Sequence, residues 1–189
     1  MKCFLLVLAL ALMSSVAGAQ DVCPEFANVV NVIVKGGTAG KELGVERAIA
    51  KQKKKGLYRG WDQSIRLEGP AAKYAVKPTH SFAFKPVHAN IHPRQQIKLY
   101  AFTTNKGYRE LSVGGTTQFG GSKDRKTTDD SIPLKFKKIS EGCYQITSEA
   151  TLTKGEYAFS LGSVSDVQGT NAGWGTTVEG QVWYGFSIK

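Results

Sequence analysis

The stretch Gly142–Phe159, GCYQITSEATLTKGEYAF, decides the fold class. Tyr144 and Ile146 alternate with Gln145 and Thr147, the period of two that sets apolar groups on one face of a pleated strand. The alternation then stops. Ser148 to Gly155 carries turn and loop chemistry, and Lys154-Gly155 is the place where positive φ is expected at little cost. Tyr157, Ala158 and Phe159 resume a β-favouring run, so the stretch reads as a β-hairpin or as a corner between two sheets.

The same pattern spreads in both directions. Phe26 to Val34, rich in β-branched residues, predicts a first strand ended by Gly36-Gly37. Ser64 to Leu67, Lys73 to Val76, Ser81 to Val87, Gln96 to Phe102, Arg109 to Val113, Leu134 to Ile139, Cys143 to Thr147, Glu156 to Leu161 and Gln181 to Ile188 follow as further short strands. Gly, Pro, Asn and Asp clusters separate them, with Asn105-Lys106-Gly107 the clearest hairpin turn. Strands at such spacing predict an all-β, two-layer antiparallel sandwich, immunoglobulin-like or jelly-roll. Residues 40–55 are the helical candidate, with Leu43, Ala48 and Ile49 on one stripe and lysines at the far end; the competing reading makes the stretch from Ala50 a strand with its lysines in solvent. The glycine-rich polar segment Gly114 to Asp130 reads as a long loop where function could sit.

The N-terminus predicts export. Met1-Lys2, the apolar run Phe4 to Met13 and the small-x-small site Ala17-Gly18-Ala19 form a signal peptide over 1–19, so the mature domain is expected to span 20–189. The apolar run falls short of the ~20 residues needed to cross a bilayer, and no later stretch approaches that length. About 170 mature residues make one domain. The precursor's formal charge is +10; without Lys2, 24 basic residues face 15 acidic ones, leaving +9. Such a surface suits an anionic envelope polymer or another envelope protein as partner, or simply solubility. An exported domain seldom meets nucleic acid, and no transmembrane segment is expected.

Of three cysteines, Cys3 leaves with the leader. Cys23 and Cys143 remain, and an exported chain with two cysteines usually pairs them. Their bond would tie the N-terminal segment to the first strand of the opening stretch and stabilise by on the order of 4 to 5 kcal/mol through chain entropy. The alternative is a buried thiol at Cys143 and an exposed one at Cys23.

Chemistry is thinner. His80, His88 and His92 are all the histidines and the nearest thing to a metal constellation. In an extended chain His88 and His92 would stand roughly 13 Å apart at ~3.3 Å per residue, too far for one ion without a bend. The competing reading is exposed loop histidines. There is no G-x-S-x-G elbow and no H-E-x-x-H helix, no paired carboxylates can be nominated, and no motif asks for a cofactor other than that metal. Lys51, Lys53, Lys54 and Lys55 with Tyr58, Arg59 and Trp61 mix charge and aromatics, as a site for an anionic ligand would. Lysines that keep a strand edge from pairing explain the same residues. The C-terminal VWYGFSIK, Val182 to Lys189, has the alternation of an outer-membrane barrel strand, although most runs in the chain are shorter than such barrels use.

Several phrases in this order carry a resemblance: Gly36-Gly37 with Leu43-Gly44, Pro78 to Phe84 (PTHSFAF), Arg109 to Gly114 (RELSVG), Asp130 to Phe136 (DSIPLKF), Gly142 to Thr147 (GCYQIT) and Leu152 to Phe159 (LTKGEYAF). Over Gly36 to Phe159 the chain resembles an uncharacterised group of exported bacterial β-sandwich proteins. Cys143 departs from the aliphatic residue usual there, and the tail after Leu161 lies outside the match. The resemblance implies fold and export and transfers no catalytic residue. The resulting expectation is a non-enzymatic binding or structural module of the cell envelope or extracellular space. The alternatives are a hydrolase or metal-dependent enzyme using the three histidines, or a small outer-membrane barrel.

Overall fold

The computed structural model describes residues 22–34, 37–54, 61–116, 131–162 and 181–189. The leader, Gly36, Lys55, Tyr58, Arg59 and most of the Gly114 to Asp130 segment fall outside them, as does the side chain of Trp61.

Short alternating runs become antiparallel strands in two sheets. The smaller has five strands, in the order β10 (Leu134–Ser140), β11 (Cys143–Ser148), β7 (Ser81–Phe84), β1 (Val30–Ile33) and β2 (Ala39–Glu42). The larger runs β3 (Val45–Glu46), β13 (Val182–Ile188), β12 (Gly155–Leu161), β8 (Ile97–Asn105), β9 (Tyr108–Thr116), β5 (Trp61–Glu68) and β4 (Ala48–Lys54), with β6 (Ala75–Val76) added in parallel to β13. A single helical turn, α1 (Pro93–Gln96), leads into β8.

Alternation places the core between the layers. Val30, Val32, Phe82, Phe84, Leu134 and Ile146 of the small sheet meet Ile97, Leu99, Tyr157, Phe159, Leu161, Tyr184, Phe186 and Ile188 of the large one. Phe82 stands at its centre, edge-on to Phe159 at 4.8 Å and tilted against Phe186 at 4.9 Å. The other face of the large sheet is buried too. Ala48, Ile65, Leu67, Tyr100, Phe102, Val113, Ala158 and Trp183 form a second cluster. Two cores on opposite faces explain why Tyr157–Leu161 and Trp183–Ile188 are buried without interruption.

The second core exists because the large sheet curls into a half-barrel. Its two edge strands, β3 and β4, are consecutive in the chain with only Arg47 between them, so the edges must meet there. Since both faces of β13 are covered by protein, the terminal alternation Val182, Tyr184, Phe186 and Ile188 serves the sandwich core and offers no face to lipid. Among the described residues no helix is long and apolar enough to cross a membrane.

The helical candidate at 40–55 is not helical over its described residues: Ala39–Glu42, Val45–Glu46 and Ala48–Lys54 are strands. Ala48 and Ala50 alternate toward the second core while Ile49, Lys51 and Lys53 face outward, and cross-strand pairing with β5 overrides the local stripe. The opening stretch resolves as a corner, since β11 belongs to one sheet and β12 to the other. Gly155 is not the left-handed residue of that corner; positive φ falls instead at Gly142, in the β10–β11 turn, and at Gly107, in the β8–β9 hairpin. The corner is held by the Tyr157 hydroxyl, which donates to the Thr153 carbonyl at 2.9 Å, the tyrosine corner of Greek-key sandwiches.

Cys23 and Cys143 form a disulfide, Cα to Cα 6.1 Å, which pins the N-terminal segment to β11. The bond fits an oxidising, exported environment. The segment is also tied by the Asn28 N–H donating to Lys85 O at 2.7 Å and by Lys85 Nζ donating to Glu25 O at 3.0 Å.

Candidate functional site

The corner and the turn before β7 face each other across the mouth of the sandwich. The His80 N–H donates to Lys77 O at 3.0 Å and closes the turn that places Pro78, Thr79 and His80. On the opposite side, pairing of Leu134 with Ser148 and the Glu149 N–H bond to Pro133 O at 2.9 Å fix the end of β11. Gln145 Nε2 donates to Ser81 Oγ at 2.8 Å and locks β11 to β7 just behind the mouth.

Between them lies a cleft of about 210 Å³. Its floor is apolar, made by Phe82, Leu99, Leu134, Leu152 and Phe159, all but Leu152 buried core residues. Its walls are polar: Thr79, His80, Thr147, Ser148, Glu149 and Thr151. Two wall atoms, His80 Nδ1 and Ser148 Oγ, are buried yet have no hydrogen-bond partner. With an apolar floor below and polar side chains around it, the cleft suits a ligand that offers both kinds of surface. Neither bonds the other, so the hydroxyl and the imidazole do not make the nucleophile–base contact of acyl-transfer enzymes. Among the described residues no lysine or arginine lines the cleft. Glu149, at its rim, pairs with Arg94 at 3.6 Å, and Arg94 also donates to Leu134 O at 3.1 Å.

The three histidines are not brought together, and among the described residues no group of three His, Cys, Asp or Glu side chains could hold a metal ion. His92 is employed locally: its Nδ1 accepts from the Arg94 N–H at 3.2 Å and caps α1, while its ring meets Phe136 edge-on at 6.0 Å. His88 is bound through its backbone, donating N–H to Gln96 Oε1 at 3.2 Å and accepting from Gln96 Nε2 at 2.8 Å. Only His80 reaches the cleft.

The basic stretch lies on the half-barrel, on another face. Lys51 and Lys53 project from the outer side of β4, opposite Ser64 and Asp62 of β5. Beside them Glu110 accepts from Ser64 Oγ at 2.6 Å and from Arg66 Nε at 2.8 Å, and Arg66 stacks on the Tyr108 ring at 4.2 Å. Desolvation pushes the Glu110 carboxyl up, but the Ser64 and Arg66 hydrogen bonds and the charges of Arg66 and Lys53 together outweigh it and hold it below the usual range. On this face Glu110 holds Arg66, while Lys51 and Lys53 stand on the outer side of β4.

Sequence reasoning missed a buried ionic cluster inside the half-barrel. Arg109, only 1 % exposed, donates from Nη2 to Glu46 and, at 3.0 Å, to Glu68 O; its Nε donates to Gly69 O at 3.3 Å, and Nη1 stands 3.9 Å from Glu156. Glu156 in turn accepts from the Ala72 N–H at 2.7 Å. A Cβ on Gly185 would collide with the Glu46 carboxylate, so the glycine is what lets that carboxylate lie across β13. Arg109 is in register with Leu67 and shares its face with Leu111 and Val113, so strand parity was the signal that could have placed it indoors. Burial also raises the Tyr100 hydroxyl to about 12, and raises Tyr184, where desolvation is joined by the charge of Glu42.

No family model, no curated protein and no solved structure matches this chain.

Proposed function

We propose that this chain is an exported, non-enzymatic binding module of the cell envelope or extracellular space, with its ligand seated in the cleft between the β6–β7 turn and the β11–β12 corner. The observation that carries the reading is the cleft itself, an apolar floor of core side chains ringed by Thr79, His80, Thr147, Ser148 and Thr151. An apolar floor with a small number of polar groups around it is the kind of lining that ligand pockets use. The frame around it is preorganised by the tyrosine corner and by the disulfide on β11, so binding would cost little ordering. The leader and the disulfide support export to a periplasmic or extracellular space.

The test is amide chemical-shift mapping of the mature protein against solubilised envelope polysaccharides, their hydrolysates and envelope-derived peptides, with the same mixtures assayed for cleavage. Saturable shifts centred on residues 78–82 and 147–152, without product, are expected. Turnover of any of these polymers, abolished by His80→Ala, would replace this reading with a hydrolase.

A further inference from the structure

Resting on that reading, we infer that the cleft takes a single neutral polyhydroxylated ring, one saccharide unit of an envelope or extracellular polysaccharide. Size comes first. At ~30 Å³ per water, about 210 Å³ holds the equivalent of roughly seven waters, below the ~300 Å³ at which pockets for larger ligands begin. That space suits one ring with its substituents and excludes a nucleotide or an extended lipid.

Polarity narrows the class. The floor of Phe82, Leu99, Leu134 and Phe159 asks for an apolar face, while the His80, Ser148, Thr79, Thr147 and Thr151 side chains ask for polar edges. A sugar ring has both: C–H bonds on its faces and hydroxyls around its rim. A serine hydroxyl can give or accept, and an imidazole nitrogen does one or the other according to tautomer. Ligand hydroxyls, which also give and accept, suit both side chains whichever tautomer His80 adopts.

Charge decides against an acidic ligand. In a chain of net charge +10, the cleft lining holds, among the described residues, no Lys or Arg and does hold Glu149. Arg94, beside the rim, is engaged with Glu149 and the Leu134 carbonyl. A carboxylate or phosphate entering here would meet an acceptor of its own sign. A peptide strand is disfavoured on different grounds, because most of the lining is made of side chains at a turn and a corner.

The experiment titrates the mature protein with methyl glucoside, methyl galactoside, methyl mannoside and N-acetylglucosamine, and with glucuronate and a hydrophobic dipeptide as contrasts, following amide shifts and calorimetric heat. At least one neutral pyranoside is expected to saturate with a Kd on the order of millimolar, shifting residues 78–82 and 147–152. Ser148→Ala and His80→Ala are each expected to weaken it about five- to tenfold, the loss of one hydrogen bond. Should either variant fail to fold, Thr151→Trp, an exposed loop position on the wall, fills the cleft and is expected to abolish binding. Binding of glucuronate or of the dipeptide at the cleft, with none of the neutral sugars, overturns the saccharide class and leaves the binding-module reading standing. Sugar binding unchanged in all three variants places the ligand elsewhere and overturns the assignment. If sugars, dipeptide and solubilised envelope polymers all leave the cleft residues unmoved, the binding-module reading falls as well.

Discussion

Removing the disulfide with Cys23→Ala and Cys143→Ala should lower stability by about 4.9 kcal/mol. The figure follows from the 120-residue separation: the closure entropy lost to the unfolded chain is about 16 cal/mol/K, which at 25 °C gives that value. The native side of the balance should change little. The N-terminal segment keeps its bonds to Lys85, and the Tyr184 hydroxyl still donates to the Asn28 carbonyl. For a domain of this size each kcal/mol moves Tm by about 2 to 4 °C, so the double variant should melt roughly 10 to 20 °C lower with a native circular dichroism spectrum. Guanidinium unfolding followed by tryptophan fluorescence measures the loss directly, and the m value should rise because the unstapled denatured chain exposes more surface. A difference within about 1 kcal/mol at unchanged m, or two titratable thiols in the unreduced wild-type protein, would refute the reasoning.

Arg109→Met leaves Glu46 and Glu156, 12 % and 11 % exposed, without their cation, and strips the Glu68 and Gly69 carbonyls of a donor. Loss of one partner from a buried pair costs about 3 to 5 kcal/mol by denaturant unfolding, and Glu46→Gln in the same chain should recover part of it. Tyr100 supplies a pH dependence: its folded value near 12 lies above the unfolded value near 10, so the folded state keeps the proton longer and stability falls as pH rises from about 10 to about 12. Denaturant midpoints across that window should show the decline, and Tyr100→Phe should flatten it.

Strand by strand, much of this architecture was legible because a period of two is a local property. Tyr144 and Ile146, or Val182, Tyr184, Phe186 and Ile188, declare their faces from their own spacing. What pairs with what is not local. Nothing near Val45-Glu46 says that it will lie beside Trp183 and Tyr184, and that pairing is what curls the large sheet and turns the helix-like stripe at 40–55 into strand. The site divides the same way. His80 stood out by its rarity, whereas Ser148 was one more turn residue until the Leu134 pairing and the sheet-to-sheet corner brought it across from His80. Arg109 escaped notice because a polar residue at the start of a strand is read as solvent-facing, and only Glu46 and Glu156, from distant segments, make its burial tolerable.

The meeting of β3 and β4 at Arg47 bears on how copies of this protein avoid one another. Among the described residues, the sheet borders at β2, the far part of β4 and β10 carry Lys41, then Lys51, Lys53 and Lys54, then Lys135, Lys137 and Lys138. Each of these seams therefore bears ammonium groups that repel an identical seam. Acetylating those lysines would leave the cores intact and yet drive the folded protein toward fibrous self-association.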